Sequence, residues 1–219
     1  VTSIRQKVSL DCLFVSRQAG RVTVPSRQAD RSAATRARLL DAAIECLVEL
    51  GWAGTTTTVV AGRAGVSRGA QLHHYPTRTD LVLAAVDHLG TRRAEEVRRE
   101  AAALPDGRDR TYRVLELLAD FSTGALYVAA LEVWVAARTD EVLRAALVPL
   151  EARLGRELHR VTVELLGADE SVPRVRETVQ ATLDLVRGLG VANLLTDDSA
   201  RRTRLLRVWA ETLDEVLRG

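Results

Sequence analysis

The chain has 219 residues, 47% of them hydrophobic and 27% charged, which is enough apolar material to bury a core, so a globular protein is expected. No run approaches the roughly 18 uninterrupted apolar residues of a membrane helix, and Cys12 and Cys46, the only cysteines, suggest neither a disulfide framework nor a zinc site. The net charge of +2 conceals an asymmetry: the first 80 residues carry +5 and the remainder −3, a basic head on a mildly acidic body that suits a polyanion at one end.

Residues 1–30 show no sustained period and are rich in Ser, Arg and Gln, so a mobile arm is expected there. The opening stretch has basic then apolar residues, as a secretory leader has. Asp11 interrupts the run and no small-residue cleavage site follows, so a leader is not expected and a reducing cytoplasm fits the cysteines best. The absence of methionine and the valine at position 1 suggest a GTG start, with Val22 or Val24 as alternative native first residues; N-terminal mass spectrometry of the native protein would decide.

From Thr35 the pattern turns helical. Leu39, Leu40, Ala43, Ile44, Leu47 and Val48 recur on one face, and Gly51 follows as the stop. A short second helix opens at Thr56 or Thr57, whose hydroxyl can cap it, and runs through Val60 to Ala64. Gly65 supplies a turn, Ser67 caps a third helix, and Pro76 ends it. Thr77 and Asp80 form a capping box for a longer fourth helix that breaks at 104–107. Amphipathic segments follow at roughly 109–122, 125–137, 140–166, 172–195 and 199–218. None shows strand-like alternation between hairpin turns, so the fold is expected to be all-α with about nine helices.

Two short helices joined by a tight glycine turn over 55–75 are what a helix-turn-helix requires. The first lies across the DNA backbone and the second presents its N-terminal residues to base edges in the major groove. Ala61, Ala64 and Gly65 allow a close crossing, and Val60, Val66 and Leu72 can fill the space between the helices.

The residues TRARLLDAAIECLVELGW (35–52) and TTTTVVAGRAGVSRGAQLHHYPTRTDLV (55–82) resemble the N-terminal domain of the TetR family of repressors in order, spacing and helix lengths. The rest of the chain is similar to that family only in length, helix count and two long final helices. After the arm over 1–30, the resemblance implies a DNA-binding domain over 31–78 and a helical effector-binding and dimerisation domain over 79–219. It implies phosphate contacts from Arg36, Thr56 and Thr57, contacts to bases or phosphates from Ser67, Arg68, Gly69, His73, His74 and Tyr75, and Arg78 on the backbone. Arg68 is the expected guanine reader, because its fork matches the two acceptors on that base. Where the family commonly has Thr-Leu-Tyr, this chain has Ala70-Gln71-Leu72, so a phosphate-touching tyrosine is missing. Gln71 either reads an adenine or tucks against the preceding helix.

The resemblance further implies a homodimer on a palindromic operator in double-stranded DNA, released by a small-molecule effector; no cofactor is expected, and the lack of a long apolar run argues against a membrane partner. Phe121, Tyr127, Trp134 and His159 are candidates for the effector site, although aromatics at helical spacing are most often plain core. Arg138 could anchor an acidic effector or satisfy helix-terminal carbonyls. Val179, Leu183, Val186, Leu206, Trp209 and Leu213 are the expected dimer interface on the last two helices. Gly188 and Gly190 mark either a close helix approach or a kink. The pattern GVSRG at 65–69 matches a hydrolase nucleophile turn, but that chemistry needs a strand before the serine and here a helix precedes it, so no enzyme is expected. His73 and His74 are adjacent and point apart, so no metal site is expected either. The competing reading is a helical ligand-binding protein that has lost operator recognition.

Overall fold

The computed structural model describes residues 27–218 apart from 106 and 108. Among the described residues it is all helical: α1 (Arg27–Gly54), α2 (Thr57–Arg63), α3 (Arg68–His74), α4 (Arg78–Ala102), α5 (Arg110–Thr123), α6 (Ala125–Ala137), α7 (Glu141–Leu166), α8 (Val175–Ala192) and α9 (Ser199–Leu217). None of these helices is by itself long and apolar enough to cross a membrane. Most of the expected arm, with Cys12, Val22 and Val24, lies outside the described residues.

The local signals act as the sequence suggests. Thr56 caps α2 by accepting from the Val59 amide at 3.2 Å, and Ser67 caps α3 by accepting from Ala70 at 3.2 Å. Gly65 turns the chain between them at φ 61°, where a side chain would be strained. Thr77 and Asp80 exchange the two hydrogen bonds of a capping box at 3.0 and 3.1 Å. Gly51 interrupts α1 at φ 64°, ψ −176°.

One expectation needs correction. Helix α1 begins at Arg27, eight residues before Thr35, so the arm as read from the sequence overlaps a helix at its end. The extra turns run through Ala and Arg, good helix formers that line no apolar stripe and stay mostly exposed.

Two packed clusters form the core. The first joins Leu39, Leu47, Val60, Tyr75, Leu81 and Val82 of α1–α4 to Ala129, Val133 and Ala137 of α6 and Leu143, Leu147 and Leu150 of α7. The second gathers the far end of α4 with α5, the end of α7, α8 and α9 around Leu115, Leu118, Val161, Val186 and Leu213. Helix α6, apolar nearly all round, packs against α1, α4, α5 and α7, and a helix of that composition has to be buried. The first three helices thus share a continuous core with the body of the molecule.

Helix α8 approaches α5 and α6 at Gly190, where an added Cβ would fall 2.0 Å from the Ser122 carbonyl oxygen. Gly190 therefore marks a close approach. Space at Gly188 is open within the single chain.

Candidate functional site

The helix-turn-helix presents one face outward. On and before α3, Ser67, Arg68, Gly69, Leu72 and His73 are exposed, with Arg36 and Arg38 of α1 and Thr56 of α2 also exposed and Thr57 half-buried. Arg38 reaches to within 4.0 Å of where a Gly65 side chain would begin. Arg36 lies near enough to His74 to help push its imidazole pKa below the ordinary value, although burial is the larger cause and His73 adds to it. Arg36, Arg38 and Arg68 are not taken up by carboxylates among the described residues, so their charge is available to an external anion. Arg63 differs, because Glu49 at 2.5 Å and Glu45 at 3.9 Å hold it on α1.

Three residues expected on this face are turned elsewhere. Gln71 is fully buried; its Nε2 donates to the Tyr75 carbonyl at 2.6 Å, while its Oε1 has no partner. Tucking against the helix, rather than reading a base, is thus its position. Leu72, expected between the helices, is instead 43% exposed on the outer face. The inward register of α3 falls on Gln71, and Leu72 follows one step outward, because neighbouring helical positions point about 100° apart. Tyr75 packs into the first core cluster at 8% exposure, and burial raises its phenol pKa. Arg78 stacks over Trp52 at 3.9 Å and donates to the Trp52 carbonyl at 3.3 Å, which fastens the start of α4 to the end of α1.

A second site lies in the body. Helices α4, α5, α6, α7 and α8 line a cavity of about 750 Å³ counting its open mouth. Phe121, Tyr127 and Trp134, expected from the sequence, all line it. Tyr127 and Trp134 meet edge to face with centroids 6.0 Å apart, and the Tyr127 hydroxyl donates to the Arg187 carbonyl at 2.8 Å. Sequence reasoning missed Glu151 of α7, which lines the same cavity. Burial pushes its carboxyl pKa up; the Trp134 indole N–H and the Arg187 charge offset part of that rise. Trp134 Nε1 is itself buried and completes no well-formed hydrogen bond.

The remaining effector candidates are elsewhere. His159 is paired with Glu170 at 2.8 Å outside this cavity, and Arg138 is exposed at the C-terminal end of α6. The expected dimer residues also need correction. Val179, Leu183, Val186, Leu206 and Leu213 are at most 2% exposed within a single chain, so they hold α8 and α9 to their own body. Half-buried Trp209 donates to Thr182 of α8 at 2.9 Å. The large apolar residues left outside on the last turn of α8, just after it and on α9 are Val191, Leu194, Leu195, Leu205 and Val208, 37–95% exposed.

Among the described residues, no group of three or more His, Cys, Asp and Glu side chains could hold a metal ion. Residues 39–85 match the sequence pattern of the tetR family of bacterial regulatory proteins. The HTH-type transcriptional regulator CymR of Pseudomonas putida is 35% identical over 184 residues, 81% of this chain and 88% of that protein. The crystal structure of a TetR-family transcriptional regulator from Rhodococcus sp. superposes with a TM-score of 0.66 at 24% identity, covering 84% of this chain and 99% of that one. A transcriptional regulator from Saccharomonospora viridis, solved in complex with choline, superposes with a TM-score of 0.63 at 18% identity over 82% and 96% of the two chains.

Proposed function

Because the chain belongs to the tetR family of bacterial regulatory proteins, and so is a DNA-binding transcriptional regulator, we propose that it is a repressor whose homodimer occupies a palindromic operator until a small molecule fills the body cavity. The observation that carries this reading is the outward face of α3. Arg68, Gly69 and His73 stand exposed beside Arg36 and Arg38, while Gln71 and Tyr75 anchor the opposite face in the core. A short, rigidly backed helix with a basic rim can enter a major groove. Arg68 would read guanine through its two parallel donors, Leu72 offers the apolar contact that a thymine methyl accepts, and Arg36 and Arg38 would meet phosphates.

A two-fold dimer sets two recognition helices about 34 to 36 Å apart, one turn of duplex, which is why the operator should be palindromic. The exposed apolar residues of α8 and α9 supply the surface for that pairing. The cavity supports the effector, since it is concave, lined by aromatic side chains and bounded by α4, the helix that begins at the DNA-binding end.

DNA selected by the purified full chain from a random pool tests the proposal. Enrichment of one inverted repeat is expected, with affinity that falls steeply as salt rises. Recovery of no shared sequence would favour the helical ligand-binding protein without an operator, a reading that the exposed, uncharged Leu72 in place of the family's tyrosine supports.

A further inference from the structure

Glu151 stands out among the charged groups around the cavity. Of the others lining it, Glu157 is held by Arg98 at 2.5 Å and Arg160 at 2.9 Å, and Arg187 is held by Asp184 at 3.0 Å. Glu151 has no ion-pair partner among the described residues, although it is only partly open to solvent. The Trp134 indole and the Arg187 charge both act on it, and Phe121, Tyr127 and Leu154 line the same cavity. A carboxylate partly withdrawn from water with no ion pair of its own is unfavourable, since the Arg187 charge offsets only part of the penalty, and an arriving cation relieves the rest. Aromatic faces attract the same kind of ligand, because the ring quadrupole is negative over the face. An anionic ligand would meet repulsion from Glu151 and find Arg187 already engaged.

We propose that the effector is a small organic cation, an ammonium with apolar substituents, whose charge sits against Glu151 and whose body packs on Phe121, Tyr127 and Trp134. This rests on the reading of the cavity as the effector site and adds the ligand's chemical class. Burial raises the Glu151 carboxyl pKa, and a cation seated beside it would lower it again.

Three probes of one size separate charge from shape: benzyltrimethylammonium, its neutral carbon isostere neopentylbenzene, and the carboxylate 3-phenylpropanoate. Calorimetry on the full chain should show benzyltrimethylammonium binding about tenfold or more tighter than the other two, and Glu151→Gln should abolish that preference while leaving the neutral compound unchanged. If Glu151→Gln does not fold, Glu151→Asp, with its charge drawn back one methylene, should weaken the cation alone.

Equal binding of the isostere, preference for the carboxylate, a cation affinity indifferent to Glu151→Gln, or no binding of any probe would each overturn the inference. Band shifts on the selected operator keep the two readings apart. An operator bound by the chain and released by a neutral or anionic compound would retain the repressor and remove the cation. A cation bound at Glu151 by a chain with no operator would do the reverse.

Discussion

Under the proposed function, Arg68 and Arg36 carry the same charge into different tasks. Arg68 opens the recognition helix and is exposed toward any groove that α3 enters, whereas Arg36 stands on α1 near His74 at the other end of that helix. Arg68→Ala should therefore cost about 1 to 3 kcal/mol and relax preference at one operator position, while Arg36→Ala should weaken all sequences alike and flatten the salt dependence. Competition binding against operators varied one base at a time checks this, and equal losses on every DNA from both changes would refute the division. Gln71 is the contrasting case. Its unpartnered Oε1 and its hydrogen bond to Tyr75 are both buried. Gln71→Leu removes one unsatisfied acceptor and leaves another, the Tyr75 carbonyl, so the two effects of about 1 to 3 kcal/mol largely cancel. Operator preference should be untouched and thermal stability nearly so; a changed base preference in the selected DNA would show that Gln71 turns outward after all.

Among the elements, the helices most legible in the sequence were those bounded by capping and turn chemistry. Helix α6 spans Ala125–Ala137 as its apolar run predicts, and Thr56, Ser67, Thr77 and Gly65 start or turn the chain where their side chains or lack of one require. The start of α1 was hidden because Arg and Ala positions without an apolar stripe resemble an arm. The interface residues expected on α8 and α9, on stripes read as wide enough for both their own body and a partner chain, are hard to sort for a related reason. A strong apolar stripe reports burial, and α8 and α9 spend theirs on their own chain, so a partner surface has to be sought in the weaker set that remains outside. Glu151 was illegible because a charged residue on an amphipathic helix reads as solvated until the other helices close around it.

Two predictions belong to these elements. Val208→Asp, on the exposed face of α9, should yield monomers in light scattering with helical content unchanged, and an unchanged dimer mass would place the interface elsewhere. Gly190→Ala forces a methyl group against the Ser122 carbonyl at 2.0 Å and the Tyr127 ring at 2.7 Å, so α8 must move away from the cavity wall. The expected cost is about 1 to 3 kcal/mol, seen as a lower Tm with weaker ligand binding. A melting curve like that of the parent chain would mean that the helices separate freely.

In the whole molecule, the question is how an occupied cavity could reach α3. Helix α6 supplies Tyr127 and Trp134 to the cavity, and between them in sequence Glu132 accepts the Trp52 amide at 3.0 Å. The contact depends on Gly51, since a Cβ there would stand 2.9 Å from the same carboxylate oxygen. Trp52 in turn carries Arg78 at the head of α4, whose middle turns, with Val86 and Gly90, form another cavity wall. A ligand that shifts α4 against α6 thus strains one clasp that also fixes the end of α1. If, as proposed, ligand and operator favour different arrangements, each must weaken the other by the same factor. Glu132 does not line the cavity, so Glu132→Ala should leave benzyltrimethylammonium affinity in the absence of DNA nearly unchanged. It frees a half-buried amide at a stability cost of about 1 to 3 kcal/mol. The factor by which the cation weakens operator binding should fall several-fold, and the factor by which operator weakens cation binding should fall equally. If both factors match the parent protein's while the single affinities also hold, the clasp at Trp52 is a structural tie only, and the coupling runs through the shared core of α4 and α1.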